Sequence, residues 1–204
     1  MKEKITAIIF DLGGVLIDWN PRYLYRKIFD SEEKMEYFLS SVCTSEWNEE
    51  QDGGRSLADG TALLVKEFPD YEKEIRAYYD RWEEMIGGVI DKSVAILHDL
   101  KQKDHLSLYA LTNWSDETIP IAMKKYVFFQ WFDGVVVSGK EKMRKPFPEF
   151  YQLILGRYHL SPANTLFIDD NLRNIHGAET VGLQTIHFMS PEQLQHDLHY
   201  NYHL

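Results

Sequence analysis

Residues 5–14 read Ile5-Thr6-Ala7-Ile8-Ile9-Phe10-Asp11-Leu12-Gly13-Gly14. A short apolar, β-branched run that stops at an acid and a pair of glycines is the pattern of a strand covered on both faces and ended by a turn. Four further segments share the form: His105 to Thr112, Gly134 to Ser138, Thr165 to Ile168, and Gln184 to Phe188. Helical periodicity lies between them, in Lys92 to Lys103 with apolar Val94, Ile96, Leu97 and Leu100, then Glu117 to Tyr126, Pro148 to Tyr158, and Leu172 to Val181. Alternation of this kind predicts an α/β fold, a doubly wound, Rossmann-like parallel sheet with helices on both faces.

The alternation is interrupted after the first strand. From Pro21 to Gly87 the periodicity is helical only, as in Tyr23 to Phe29, Ser56 to Phe68 and Tyr71 to Ile86. One crossover helix does not need that length. The expectation is an inserted all-helical cap domain over 18–89, with 1–17 and 90–204 forming the core, and hinges at Asp18-Trp19-Asn20-Pro21 and Gly87-Gly88. Tyr23, Phe29, Tyr37, Phe38, Trp47, Tyr78 and Trp82 read as the core of that insert, because a small helical domain needs bulky side chains to bury enough area.

Among the 204 residues, Lys plus Arg number 22 and Asp plus Glu 32, a formal net charge of −10. A field of that sign repels polyanions, so neither nucleic acid nor an anionic membrane is expected as a partner. Hydrophobic residues make up 44% of the chain, enough for a globular core. Cys43 is the single cysteine, which excludes an intramolecular disulfide and a four-thiolate zinc site. The first apolar run ends at Phe10, too short for a signal core or a membrane span, so a cytoplasmic location is expected. His196, His199 and His203 in the tail read as a solvated terminal helix, and Lys140, Lys142, Arg144 and Lys145 as a loop facing an anion.

In an open parallel sheet, ligands bind outside the carboxyl ends of the strands. Asp11, Thr112-Asn113 and Asp169-Asp170 stand at three such ends, and Lys145-Pro146 follows a fourth strand. Carboxylates crowded together repel unless a cation sits among them or a proton is retained. Oxygen-only donors suit magnesium.

These residues resemble the phosphatase-type members of the haloacid dehalogenase superfamily. Phe10-Asp11-Leu12-Gly13-Gly14-Val15-Leu16 is similar to the first motif, Leu111-Thr112-Asn113 to the second, Lys145-Pro146 to the third, and Phe167-Ile168-Asp169-Asp170-Asn171 with Asn174 to the fourth. Glu46-Trp47-Asn48 and Asp52-Gly53-Gly54-Arg55-Ser56 look like the substrate-specificity loop of capped members, and the overall flavour is similar to sugar-1-phosphate phosphatases. The resemblance implies a magnesium-dependent phosphatase acting on a small phosphorylated metabolite, a sugar phosphate with an anomeric one included, through an aspartyl-phosphate on Asp11. It implies that Asp11, the Gly13 carbonyl, Asp169 and Asp170 hold the metal. It implies that Gly13, Gly14, Thr112, Asn113, Lys145 and Trp47 contact substrate or phosphate, with Thr112-Asn113 at the amino end of the next helix, and that Asp11, Thr112 and Lys145 carry the chemistry.

One position departs from the family pattern. A second Asp usually stands two residues after the nucleophile as general acid and base, and here that residue is Gly13. Protonating the leaving oxygen is worth about 10²–10⁴-fold. The expectation is either a substrate with a better leaving group or an acid from elsewhere, with Asp18, Glu49 and Asp52 as candidates. The competing readings are a metal-independent dehalogenase, which the extra carboxylates at 169 and 170 oppose, and a catalytically weakened binding protein.

Overall fold

The computed structural model describes residues 4–204. Its elements run, in chain order, β1 (Ala7–Phe10), β2 (Ile17–Trp19), α1 (Arg22–Tyr25), α2 (Glu32–Ser41), α3 (Ser45–Asp52), α4 (Leu57–Glu67), α5 (Glu72–Asp80), β3 (Ile86–Val89), α6 (Asp91–Lys101), β4 (Ser107–Thr112), α7 (Ile119–Lys125), β5 (Gly134–Val137), α8 (Ser138–Glu141), α9 (Pro148–Arg157), β6 (Thr165–Asp169), α10 (Leu172–Thr180), β7 (Gln184–His187) and α11 (Pro191–Tyr202). The main sheet has the order β5-β4-β1-β6-β7, and every pairing in it is parallel. The doubly wound α/β expectation is met.

Period-two geometry explains why β1 reads as unbroken apolar sequence. Ile8 and Phe10 face one side with Leu108, Ala110, Leu166 and Ile168, where α6, α7 and α11 supply Leu97, Leu100, Ile119, Leu194 and Leu198. Ala7 and Ile9 face the other with Leu111 and Phe167, against Phe150, Tyr151 and Ile154 of α9 and Ile175 of α10. The terminal helix is therefore not solvated all round. Its Leu194 and Leu198 are buried, and the histidines lie on its outer side, where they form no metal-compatible group among the described residues. Among the described residues no helix is long and apolar enough to cross a membrane.

Between β2 and β3 the chain is helical and builds a cluster of its own around Leu24, Tyr25, Met35, Phe38, Ile75 and Tyr78. The helical reading of Tyr23 to Phe29 is longer than the four residues of α1, and α2 and α3 were not named by periodicity. Their start signals are local: the hydroxyls of Ser31 and Thr44 accept the N–H groups of Lys34 and Trp47 and so cap the two helices. The segments that flank these helices are extended. β2 and β3 pair antiparallel from Ile17↔Val89 to Trp19↔Ile86, so the two expected hinge segments run side by side as a ribbon.

Candidate active site

β1 is the central strand, with β4 on one side and β6 on the other: the chain winds outward from β1 to β4 and β5, then crosses back over β1 to β6 and β7. The crevice at its carboxyl end is where such sheets bind ligands. Asp11 emerges there. Its N–H donates to Ile168 O at 2.9 Å, prolonging the β1–β6 pairing, while Oδ1 accepts the Leu12 N–H at 2.7 Å. Its other oxygen, Oδ2, lies 2.8 Å from Lys145 Nζ, and the same ammonium donates to Asp169 Oδ2 at 2.7 Å. Lys145 and Asp169 are fully buried. Asp169 is held on both oxygens: Asn174 Nδ2 donates to each at 3.1 Å and the Asn171 N–H to Oδ1 at 2.8 Å.

Asp170 completes a group in which ligand atoms of Asp11, Asp169 and Asp170 all lie within 4.8 Å of one another. Burial pushes the Asp11 carboxyl up to about 8, Lys145 opposes the shift, and the charges of Asp169 and Asp170 reinforce it. Asp170 is raised for the same two reasons, loss of water and the neighbouring Asp169 charge. Burial works against the charge on Lys145, but Asp11 and Asp169 outweigh it and hold the ammonium above its ordinary value. One ammonium among three carboxylates leaves negative charge uncompensated, and the donors are all oxygens. That set fits a hard metal ion.

Gly14 explains how Asp170 comes so close. Its φ is +75°, and a Cβ there would overlap the Asp170 carboxylate. Gly13 differs: a Cβ would meet nothing within 4 Å, so the space a family acid would fill is open. Thr112 ends β4 with its hydroxyl buried and without a partner among the described residues. Such an orphaned donor fits an acceptor oxygen brought by a ligand.

Two sequence expectations need correction. The helix after β4 begins at Ile119, so Thr112 and Asn113 are not at its amino end. The Asn113 side chain instead clamps the Lys145 backbone, donating to Lys145 O at 3.0 Å and accepting the Lys145 N–H at 2.9 Å. Trp47 is turned away from the site, its indole N–H donating to Gly60 O and its ring packed on Tyr78 and Tyr79, because the insert needs it for its own core.

Above the carboxylates lies a cleft of about 780 Å³, with Asp11, Gly13, Asn113 and Asp170 on its floor and Asn48 and Asp52 of α3 in its wall. A smaller cavity of about 90 Å³ opens beside Gly13 and is walled by Trp19, Asp52, Tyr79, Trp82 and Trp114. Sequence reasoning did not find Trp114 or Ser138. The Ser138 hydroxyl accepts the Trp114 N–H and donates to Asp52 O, tying the core to α3 across positions that no motif connects. Of the three candidate acids, Asp18 accepts from the Tyr23 hydroxyl beside the ribbon and Glu49 is ion-paired with Arg173. Only Asp52 walls the cleft and the small cavity together.

A sequence profile of haloacid dehalogenase-like hydrolases matches residues 5–182. The chain belongs to that family. A sesquiterpene phosphatase of Aspergillus oryzae is 28% identical to this hydrolase over 187 residues, covering 92% of this chain and 91% of that protein. A D-ribitol-5-phosphate phosphatase of Bacteroides thetaiotaomicron is 22% identical over 197 residues, covering 89% and 90%. Among solved structures, a haloacid dehalogenase family enzyme of Bacteroides thetaiotaomicron, in complex with magnesium and inorganic phosphate, superposes with a TM-score of 0.68 at 22% identity, covering 91% of this chain and 95% of that one. At that identity the likeness concerns the fold.

Proposed function

We propose that this hydrolase is a magnesium-dependent phosphatase that cleaves a small phosphate monoester through an aspartyl-phosphate on Asp11. The observation that carries the reading is Lys145 Nζ held between Asp11 Oδ2 and Asp169 Oδ2, with Asp170 completing the carboxylate group. Asp11, Asp170, Asp169 and the Gly13 carbonyl would hold magnesium, which when bound screens the nucleophile from the phosphate charge. Asp11 Oδ2 attacks phosphorus, the ester oxygen departs, and water then releases the phosphoryl group from Asp11. Lys145 neutralises charge on the transferring group, and the Thr112 hydroxyl donates to one of its oxygens. Asp169 fixes Lys145 in place.

Residues 18–89 act in this reading as a cap swinging on the β2–β3 ribbon, whose closure excludes water and selects the leaving group. The named activities of the relatives, on a sesquiterpene and on a pentitol phosphate, support phosphate monoesters as the substrate class. Motif flavour favours a sugar phosphate. The cavity of Trp19, Tyr79, Trp82 and Trp114 beside Gly13 favours a second reading of the substrate, one whose leaving group carries an apolar face. A panel of sugar phosphates, prenyl-type monophosphates and aryl phosphates, assayed with and without magnesium, tests both. Phosphate release that needs magnesium and disappears in Asp11→Asn is expected. Release untouched by that substitution, or halide release from a haloacid without metal, overturns the phosphatase.

A further inference from the structure

We propose that Asp52 is the general acid and base of this hydrolase, standing in from the helical insert for the acid absent at Gly13. The proposal rests on the phosphatase reading. Asp52 is the last residue of α3, at the edge of the cleft that holds Asp11 and in the wall of the small cavity beside Gly13. Gly13 leaves unfilled the space a side chain there would occupy.

A chain of hydrogen bonds aims the carboxyl. Gln51 Nε2 donates to the Tyr79 hydroxyl at 3.0 Å, which donates to Asn48 Oδ1 at 3.0 Å, leaving Asn48 Nδ2 to donate to Asp52 Oδ2 at 2.9 Å. The order of donors fixes the Asn48 amide, because its oxygen is already taken by Tyr79. From the core, the Ser138 hydroxyl donates to the Asp52 carbonyl and so fixes the end of α3 over the site. Its neighbours on α3 are held by core arginines instead, Glu49 by Arg173 and Glu50 by Arg144.

The surroundings also set the proton. Withdrawal from water inside the cleft pushes the Asp52 carboxyl up to about 7, with Glu49 adding to the shift and the Ser115 N–H, Arg144 and Lys145 opposing it. A carboxyl in that range can give a proton and take one back near neutrality. In the first step Asp11 bonds to phosphorus, the ester P–O bond breaks with its electron pair on oxygen, and the Asp52 proton passes to that oxygen. In the second, water bonds to phosphorus, its proton passes to Asp52, and the Asp11–phosphorus bond breaks.

The test compares two esters on the intact, magnesium-loaded protein: a primary alkyl phosphate, whose leaving group needs a proton, and 4-nitrophenyl phosphate, whose leaving group does not. Asp52→Asn should lower kcat/KM for the alkyl ester by about 10²–10⁴-fold and leave the aryl ester within about tenfold, with the ionisation near neutrality gone from the pH profile. Adding Gly13→Asp to that variant should return alkyl activity, since the new side chain enters open space. Thermal unfolding confirms that each variant folds, and Asp52→Ser, which also removes the carboxyl, makes the same comparison if Asp52→Asn does not fold. Equal losses on both esters in folded protein, or an unchanged alkyl rate, overturn the role of Asp52. A wild type that hydrolyses neither ester overturns the phosphatase reading instead.

Discussion

Lys145 Nζ lies 2.7 Å from Asp169 Oδ2, and both side chains are wholly withdrawn from water. A pair at such depth repays its loss of hydration only while both members are present. Lys145→Met strands Asp169 and Asp11 as neighbouring buried carboxylates, so it should lower stability by about 3–5 kcal/mol in urea titrations without metal. Magnesium in the titration should return part of that loss, because a second cation then faces the same carboxylates.

Gly14 holds a left-handed conformation at φ +75°, with the Asp170 carboxylate against its α-carbon. Gly14→Ala should cost about 1–2 kcal/mol from the backbone alone. The displaced Asp170 should also weaken magnesium binding, which isothermal titration would register. Gly13→Ala is the control: its side chain meets open space, so magnesium affinity should stay near that of the wild type.

The raised carboxyls make stability pH-dependent with a definite sign. Asp11 is lifted from 3.8 to about 8 and Asp52 from 3.8 to about 7, so between those values the folded chain binds protons that the unfolded chain has released. Stability contributed by these groups is therefore present below 3.8 and lost as pH rises through 7 and 8. The melting temperature of metal-free protein should fall across that window. Saturating magnesium should flatten the slope by binding the anionic form of Asp11, and Asp52→Asn should reduce it without metal.

Cys43 is buried in the insert, and burial holds its thiol well above the ordinary range. Reaction with a thiol reagent requires the thiolate and access to it. Modification of the native protein at neutral pH should be slow and should speed up sharply in denaturant, as a timed mass measurement would show.

The fold and the site differ in how much of each was legible. Apolar runs ending in Asp11, Thr112 and Asp169 follow from local covalent pattern, and a parallel sheet necessarily gathers such ends along one edge. Gly13 in place of an acid was equally plain from its position. Where α2 starts depended on the Ser31 hydroxyl, a weak local signal beside helical periodicity. Trp47 carried two readings, core of the insert and substrate contact, because an aromatic in a loop motif and one in a small helical core look alike until packing chooses between them, and packing chose the core.

The residue order alone thus determined the doubly wound architecture, the presence of an insert, and the carboxylates and lysine that share an edge. Tertiary structure decided the rest: that Asn113 braces the Lys145 backbone, that Asp170 lies against Gly14, and that Asp52, far from Gly13 in sequence, faces the same cleft. The physical reason lies in range. Hydrophobic period and turn chemistry act over a few residues and can be read along the chain. Burial, hydrogen-bond partners and carboxyl protonation depend on neighbours that only the folded chain supplies.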